Sequence, residues 1–270
     1  MPIKERFVMR QYKMLVTPSS PLVLPASLLL VLLFGVSTPS ARSADKSEGD
    51  HVATSDGDLV IHPIDHATFV MGWKGKAIYV DPVGTGKRFD GFPKPDLILV
   101  TDIHGDHLSP ETLEAVADAK TTVVAPSAVA EKLSEKLRKQ TTVLPNGETK
   151  SVAGISIEAV PMYNLTADRL KYHNKGRGNG YVVNLGGKRV YISGDTEDIP
   201  EMRALKNIDV AFVCMNLPYT MTVDQAASAV REFKPKIVYP YHYRGSDVEK
   251  FKKLVGEDSG VEVRLRDWYQ

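Results

Sequence analysis

Thr101-Asp102-Ile103-His104-Gly105-Asp106-His107-Leu108 packs four groups able to bind a divalent cation into six consecutive residues. The segment follows Leu97 to Thr101, a continuous apolar run that suits a strand buried on both faces. It leads into Ser109-Pro110, an N-cap followed by proline at the first helical position, so the sequence predicts a helix from Pro110 to Ala119. Gly105 permits the tight turn between the two. Core positions avoid Asp and His unless they are paired, which makes such a cluster hard to explain as packing. Imidazole with carboxylate is a ligand set for zinc, iron or manganese.

Outward from this loop the chain reads as short strands alternating with helices. Upstream, Leu59 to Ile64, Ala67 to Gly72 and Lys76 to Val80 are apolar, the last two flanking a Gly72-Trp73-Lys74-Gly75 turn as in a hairpin. Downstream come strand Thr121 to Ala125, a helix Ser127 to Lys139, and strands Thr141 to Leu144, Ile155 to Val160, Gly180 to Leu185 and Arg189 to Ser193. A helix near Pro200 to Leu205, strand Val210 to Cys214, helix Thr222 to Phe233, strand Ile237 to Pro240, helix Asp247 to Val255 and strand Val261 to Leu265 close the chain. Two sheets with helices outside them, an α/β architecture, is the economical arrangement.

Composition narrows the function. With 34 basic and 33 acidic residues in 270, there is no broad basic face of the kind that nucleic-acid binding requires. The single cysteine, Cys214, excludes an intrachain disulfide and any multi-cysteine zinc site, so a metal must be held by His and carboxylates. Cys214 lies in an apolar run and reads as a small core hydrophobe. Lys4, Arg6, Arg10 and Lys13 precede an apolar run from Leu22 to Val36 and then small residues, the order of a secretory signal peptide over residues 1–43. A retained membrane anchor is the competing reading, but the run is 15 residues long with Pro25 inside it, short of the ~20 that span a bilayer. Cleavage before Ala44 leaves 29 basic against 32 acidic residues, a net charge of −3, and residues 44–57 read as a linker. The expected location is exported, periplasmic or extracellular.

Further chemistry stands at other predicted strand ends: Asp81 before Pro82, Tyr191-Ile192-Ser193-Gly194-Asp195-Thr196, and Tyr239-Pro240-Tyr241-His242-Tyr243. With the Asp102–His107 segment, these resemble in order the His-x-His-x-Asp-His, Gly-Asp-Thr and late strand-end His motifs of the metallo-β-lactamase superfamily. His66-Ala67-Thr68, Thr220-Met221 and the Pro-x-His ending resemble the branch of ascorbate-6-phosphate lactonase and N-acyl-phosphatidylethanolamine phospholipase D. The resemblance spans about residues 58–245 and implies a single αββα four-layer sandwich domain over residues 58–270.

The resemblance also implies a metal centre. Asp106, His107, Asp195 and His242 match one complete site, with Asp195 bridging to a second. In the second, His104 is present, Asp102 replaces the first His, and Asn164 stands where a third His belongs, so this site departs from the pattern. His173 is either a substitute ligand or substrate contact, or an exposed loop histidine. His66 either approaches the metal cleft or caps a strand end, and Asp81 reads as a residue that orients a ligand His. Gly176-Arg177-Gly178-Asn179-Gly180 is either a set of turns or a site for an anionic group. The implied activity is hydrolysis of an ester, lactone, amide or phosphodiester by water activated on one or two divalent ions, Zn2+ first and Mn2+ or Fe2+ as alternatives, with Asp106 orienting the nucleophile. The expected partner is a small-molecule or lipid-derived substrate, with membrane contact only through the N-terminal segment. The alternative is a metal-binding protein of the same fold with a sensor or redox role and little turnover.

Overall fold

The computed structural model describes residues 49–269, so the signal-peptide reading of 1–43 lies outside the described residues. Two seven-stranded sheets are formed by these residues. The first runs in chain order: β1 (Asp50–Thr54), β2 (Gly57–Asp65), β3 (Thr68–Trp73), β4 (Lys76–Val80), β5 (Leu97–Leu99), β6 (Thr122–Ala125) and β7 (Thr141–Val143). The second comprises β8 (Thr149–Val152), β9 (Ile155–Met162), β10 (Gly178–Leu185), β11 (Lys188–Ile192), β12 (Val210–Cys214), β13 (Ile237–Tyr241) and β14 (Glu262–Val263). In each sheet the first four strands are antiparallel and the following pairs parallel.

Parallel pairs need crossovers, and short helices supply most of them. α1 (Pro110–Val116) joins β5 to β6, and α2 (Ser127–Ala130) and α3 (Glu135–Lys139) join β6 to β7. α4 (Pro200–Arg203), α5 (Val223–Phe233) and α6 (Val248–Val255) serve the second sheet. Alternation along the strands separates the layers. Phe69, Met71, Ile78, Val80, Leu97 and Leu99 point into the core shared with the second sheet. Val70, Ala77, Tyr79 and Ile98 instead pack outward with Leu113 and Val116 of α1. This is the four-layer sandwich expected from the resemblance, with Cys214 fully buried in β12 and its thiol pushed up to about 12 by burial. No described helix is long and apolar enough to cross a membrane.

Three expectations are corrected. The helix expected over Ser127 to Lys139 breaks into α2 and α3, because Leu133 turns into the core and the Ser134 hydroxyl caps α3 by accepting from Leu137 N–H. Within the expected 44–57 linker, residues 50–54 form β1, and within the stretch left unassigned after Leu144, residues 149–152 form β8. Both are outermost strands with one fully inward side chain each, Val52 and Val152, so their composition is polar. The closing strand contracts to Glu262–Val263.

Candidate metal centre

Strand direction gathers the chemistry at one end of the sandwich. Asp81 follows β4 and Asp102 to His107 follow β5, its parallel neighbour. Asp195 follows β11 and His242 follows β13, again carboxyl ends of parallel strands. His66 lies in the β2–β3 turn beside the end of β4, and the β9–β10 connection carrying Asn164 and His173 opens at the end where β11 finishes. Carboxyl ends of parallel strands are where ligands of open α/β sheets bind. At Gly194 the chain takes φ +61, and a Cβ there would crowd Met162 Sδ at 2.6 Å and the Asn179 carbonyl oxygen at 3.1 Å, so glycine is favoured at this bend into Asp195.

Asp106, His107, Asp195 and His242 each offer a ligand atom, all within 4.8 Å of one another. His107 Nε2 lies 3.2 Å from Asp195 Oδ2, and His242 Nε2 lies 3.3 Å from both Asp195 Oδ1 and Asp106 Oδ2. His107 is oriented from behind. Its Nδ1 donates to Asp81 Oδ2 at 2.8 Å, and that carboxylate also accepts Thr101 N–H and Oγ1–H. The acceptor at Nδ1 leaves the Nε2 lone pair facing the cluster, and His107 Nε2 and Asp195 Oδ1 are buried without a hydrogen-bond partner. Two imidazoles and two carboxylates with unsatisfied atoms converging on one point fit a divalent ion.

Charges in the cluster depend on one another. Burial opposes the ionised form of Asp195, but the adjacent His107 and His242 hold it well below the usual carboxylate range. Burial also works against Asp106, and hydrogen bonds from His242 and His66 outweigh it, so its carboxyl is lowered too. Desolvation outweighs its hydrogen bonds at Asp81 and raises its pKa. His66, lowered chiefly by burial, stands against the cluster with Nε2 3.4 Å from Asp106 Oδ2 and its ring 3.7 Å from that of His242. Of its two readings, the approach to the cleft is the one observed.

Asp102, His104 and His173 form a second convergent group. His173 is not an exposed loop residue but is buried, 1% accessible, with Nε2 3.2 Å from Asp195 Oδ2 and Nδ1 3.1 Å from the Tyr219 carbonyl. Asn164 does not face the cluster through its amide nitrogen, whose donors go to the carbonyls of Tyr219 and Arg169. Arg177 donates through Nε and Nη2 to the two Asp102 oxygens at 3.0 and 2.7 Å. Gly178 and Gly180 begin β10 rather than forming turns; a Cβ on either would collide with carbonyl oxygens of Thr101 or Ile192. Glu197 and Tyr269 carry no assignment from sequence, and Arg177 carries one only within a segment that could take an anionic group. For Arg177 the signal was present: a buried Asp at position 102 demands a counter-charge.

The cluster floors a cavity of about 510 Å³, whose mouth carries Tyr172, Tyr219, Asn216 and Arg244. Of its lining residues, Tyr172 and His173 come from the β9–β10 connection.

A layered α/β sandwich with a His and Asp cluster at the carboxyl ends of its strands defines a metallohydrolase. The family model described as "Beta-lactamase superfamily domain" matches residues 60–242. A UPF0173 metal-dependent hydrolase of Pyrococcus abyssi is 36% identical over 213 residues, covering 73% of this chain and 92% of that one. The crystal structure of a protein described as a metal-dependent hydrolase from Parabacteroides distasonis matches with TM-score 0.75 and 44% identity, covering 83% of this chain and 99% of the other. A metallo hydrolase from Ignicoccus hospitalis, 23% identical, shares the fold at TM-score 0.66 over 78% of this chain and 96% of that one. The chain belongs to the metallo-β-lactamase superfamily and is a metal-dependent hydrolase within it.

Proposed function

We propose that the protein cleaves an ester, lactone, amide or phosphodiester bond in a small or lipid-derived molecule, using a divalent ion held by Asp106, His107, Asp195 and His242. The convergence of these four side chains, of which Asp106, Asp195 and His242 line a substrate-sized cavity, carries the reading. Zinc is the first choice for such donors, with manganese or iron as alternatives. A metal held there supplies Lewis acidity that activates water and polarises the scissile group.

The chain's own groups do the rest. Asp106 is the most open of the four, with its side chain 46% exposed, and is placed to orient the nucleophile. Tyr269 Oη accepts Tyr243 N–H at 2.9 Å and directs its own proton to His66 Nδ1 at 2.8 Å. With Nδ1 accepting from Tyr269, the hydrogen of neutral His66 sits on Nε2 and faces Asp106 Oδ2 at 3.4 Å, so His66 positions the carboxylate that orients the nucleophile. Tyr172 and Tyr219, edge to face at 5.0 Å, give the cleft mouth an apolar wall, and Arg244 offers a positive charge, a pairing that suits a substrate with an apolar part and an anionic or polar end. Export rests on the basic, apolar and small-residue order of residues 1–43, and that segment is the proposed sole membrane contact.

The test is turnover of ester, lactone, amide and phosphodiester probes by metal-loaded protein beside Asp106→Asn. At least one probe class should be hydrolysed, and the variant should lose at least ~100-fold, about 2.7 kcal/mol of barrier. An unchanged rate in the variant would sink the assignment.

A further inference from the structure

We propose that Arg177 closes the position beside Asp195 where the motif pattern implies a second ion, so that a guanidinium is the fixed cation there and the centre holds one metal ion. The inference rests on the reading that Asp106, His107, Asp195 and His242 hold a first ion.

The donors that a second ion would need are spent on one another. Arg177 Nε donates to Asp102 Oδ1 at 3.0 Å and Nη2 donates to Oδ2 at 2.7 Å, a fork on both oxygens of a fully buried carboxylate. Asp102 Oδ2 also faces His104 Nδ1 at 2.9 Å, which leaves the His104 lone pair on Nε2, and Arg177 Nη2 stands 3.5 Å from that atom. An ion on His104 Nε2 would therefore lie against a guanidinium, which is always charged in proteins and repels it. Asn164, at the place of a third imidazole, spends its amide nitrogen on the carbonyls of Arg169 and Tyr219 and stands 3.3 Å from His173 Nδ1. What remains is His173 Nε2 and the Asp195 oxygen 3.2 Å from it, two donors where catalytic zinc takes about three from the protein. The first group suffers no such loss, since no arginine or lysine pairs with Asp106 or Asp195.

The backbone builds the seat of Arg177. Asn179 N–H donates to the Thr101 carbonyl at 2.9 Å, joining the start of β10 to the residue before Asp102. Gly178 permits that approach, because a Cβ there would lie 2.9 Å from the Thr101 carbonyl oxygen. Residue 177 is thereby carried to the loop after β5, and arginine is the side chain whose planar fork matches a carboxylate. Asp102 and Arg177 together carry the charge of one neutral imidazole, so the buried position stays neutral without a metal. Arg177 Nη1 has no hydrogen-bond partner among the described residues and the side chain is 19% exposed, so the guanidinium keeps N–H groups to offer an oxygen of a bound substrate.

Metal content per chain, measured after loading the full protein with Mn2+ and desalting, tests this without reference to turnover. Wild type should hold one ion, with the electron paramagnetic resonance signal of an isolated Mn2+. The double variant Asp102→His with Arg177→Met gives the position three imidazoles and removes the guanidinium, and it should hold two ions with the signal of a spin-coupled pair. Two coupled ions in wild type overturn the proposal and leave the hydrolase reading intact, and this count stands even if the double variant fails to fold. One ion in a folded double variant also overturns it, because the Asp102–Arg177 pair would then not be what excludes the second. No retained ion in wild type overturns both readings.

Discussion

Three residues around the cluster hold a left-handed backbone although none is glycine: His66 at φ +53, Asp81 at φ +42 and His242 at φ +46. Such positions cost on the order of 1–3 kcal/mol each and persist when the surroundings over-determine them. Here they are tied together: His242 N–H donates to the His66 carbonyl, His66 N–H to the Trp268 carbonyl, and Thr68 Oγ1 to the Asp81 carbonyl. The bend at Asp81 delivers the carboxylate that aims His107, so Asp81→Asn should weaken metal binding about 10–100-fold in a chelator competition; undiminished affinity would remove Asp81 from this role. Burial acts to lower the His107 pKa, but Asp195 and Asp81 flank the ring and raise it well above its ordinary value. A proton therefore competes with the ion, and metal affinity in the same competition should rise with pH between about 6 and 8, by up to tenfold per unit for each proton displaced. Apoprotein stability has the opposite sign: the protonated His107 contribution is full below the ordinary 6.5 and is lost as pH rises through the folded value. His104, Asp106, His107, Asp195 and His242 were legible because each stands within a few residues of a strand end. The position of His173 was not, because the carbonyl that orients it is 46 residues away in sequence.

The connection between β9 and β10 is fixed at its base by Glu197. Its Oε2 accepts Leu165 N–H and Thr166 N–H at 2.5 and 2.6 Å, and its Oε1 accepts Thr166 Oγ1–H at 2.7 Å and pairs with Arg169. Burial would raise this carboxyl, yet the Thr166 and Leu165 bonds and the Arg169 charge hold it below its usual value. A depressed carboxylate contributes stability above its unfolded pKa and loses it as pH falls through the folded one. Glu197→Gln should accordingly destabilise by about 1–3 kcal/mol in urea denaturation at neutral pH. The deficit should narrow below about pH 4 as the wild-type side chain protonates. A variant as stable as wild type at neutral pH would make this junction incidental. At this scale the Ser109 cap was legible, and it accepts from Thr112 N–H at the start of α1; Thr222, expected inside its helix, instead caps α5 in a reciprocal capping box with Gln225. Edge strands were not, because β1 and β8 bury too little to leave an apolar pattern.

Over the whole domain, β1 does more than extend a sheet. Asp50, its first residue, accepts Tyr239 Oη–H from β13 at 2.7 Å and pairs with Arg264 at 2.9 Å and Arg266 at 2.6 Å. The edge of the first sheet is thereby tied to a parallel strand of the second and to the chain beyond β14. Arg264 and Arg266 lead to Trp268, which is fully buried against Phe69, Phe212 and Tyr241, and to Tyr269, which holds His66. The N-terminal strand and the C-terminal tail thus brace each other behind the cluster. The domain boundary expected at residue 58 cuts through this brace, whereas a chain beginning at Ala44, as the leader reading expects, keeps β1 whole. Removing β1 deletes an edge ladder, the buried Val52 and the partner of a tyrosine hydroxyl and two arginines. Most of that is shallow, so the loss should be about 2–3 kcal/mol. At this chain length that corresponds to roughly 4–12 °C in Tm, measured by comparing chains that begin at residues 44 and 58. The shorter chain should also bind its first metal ion more weakly, because Arg264 and Arg266 would no longer steady the tail that orients His66. Equal melting temperatures and equal affinity would mean that β1 is an accessory strand and that the tail is held by Trp268 alone.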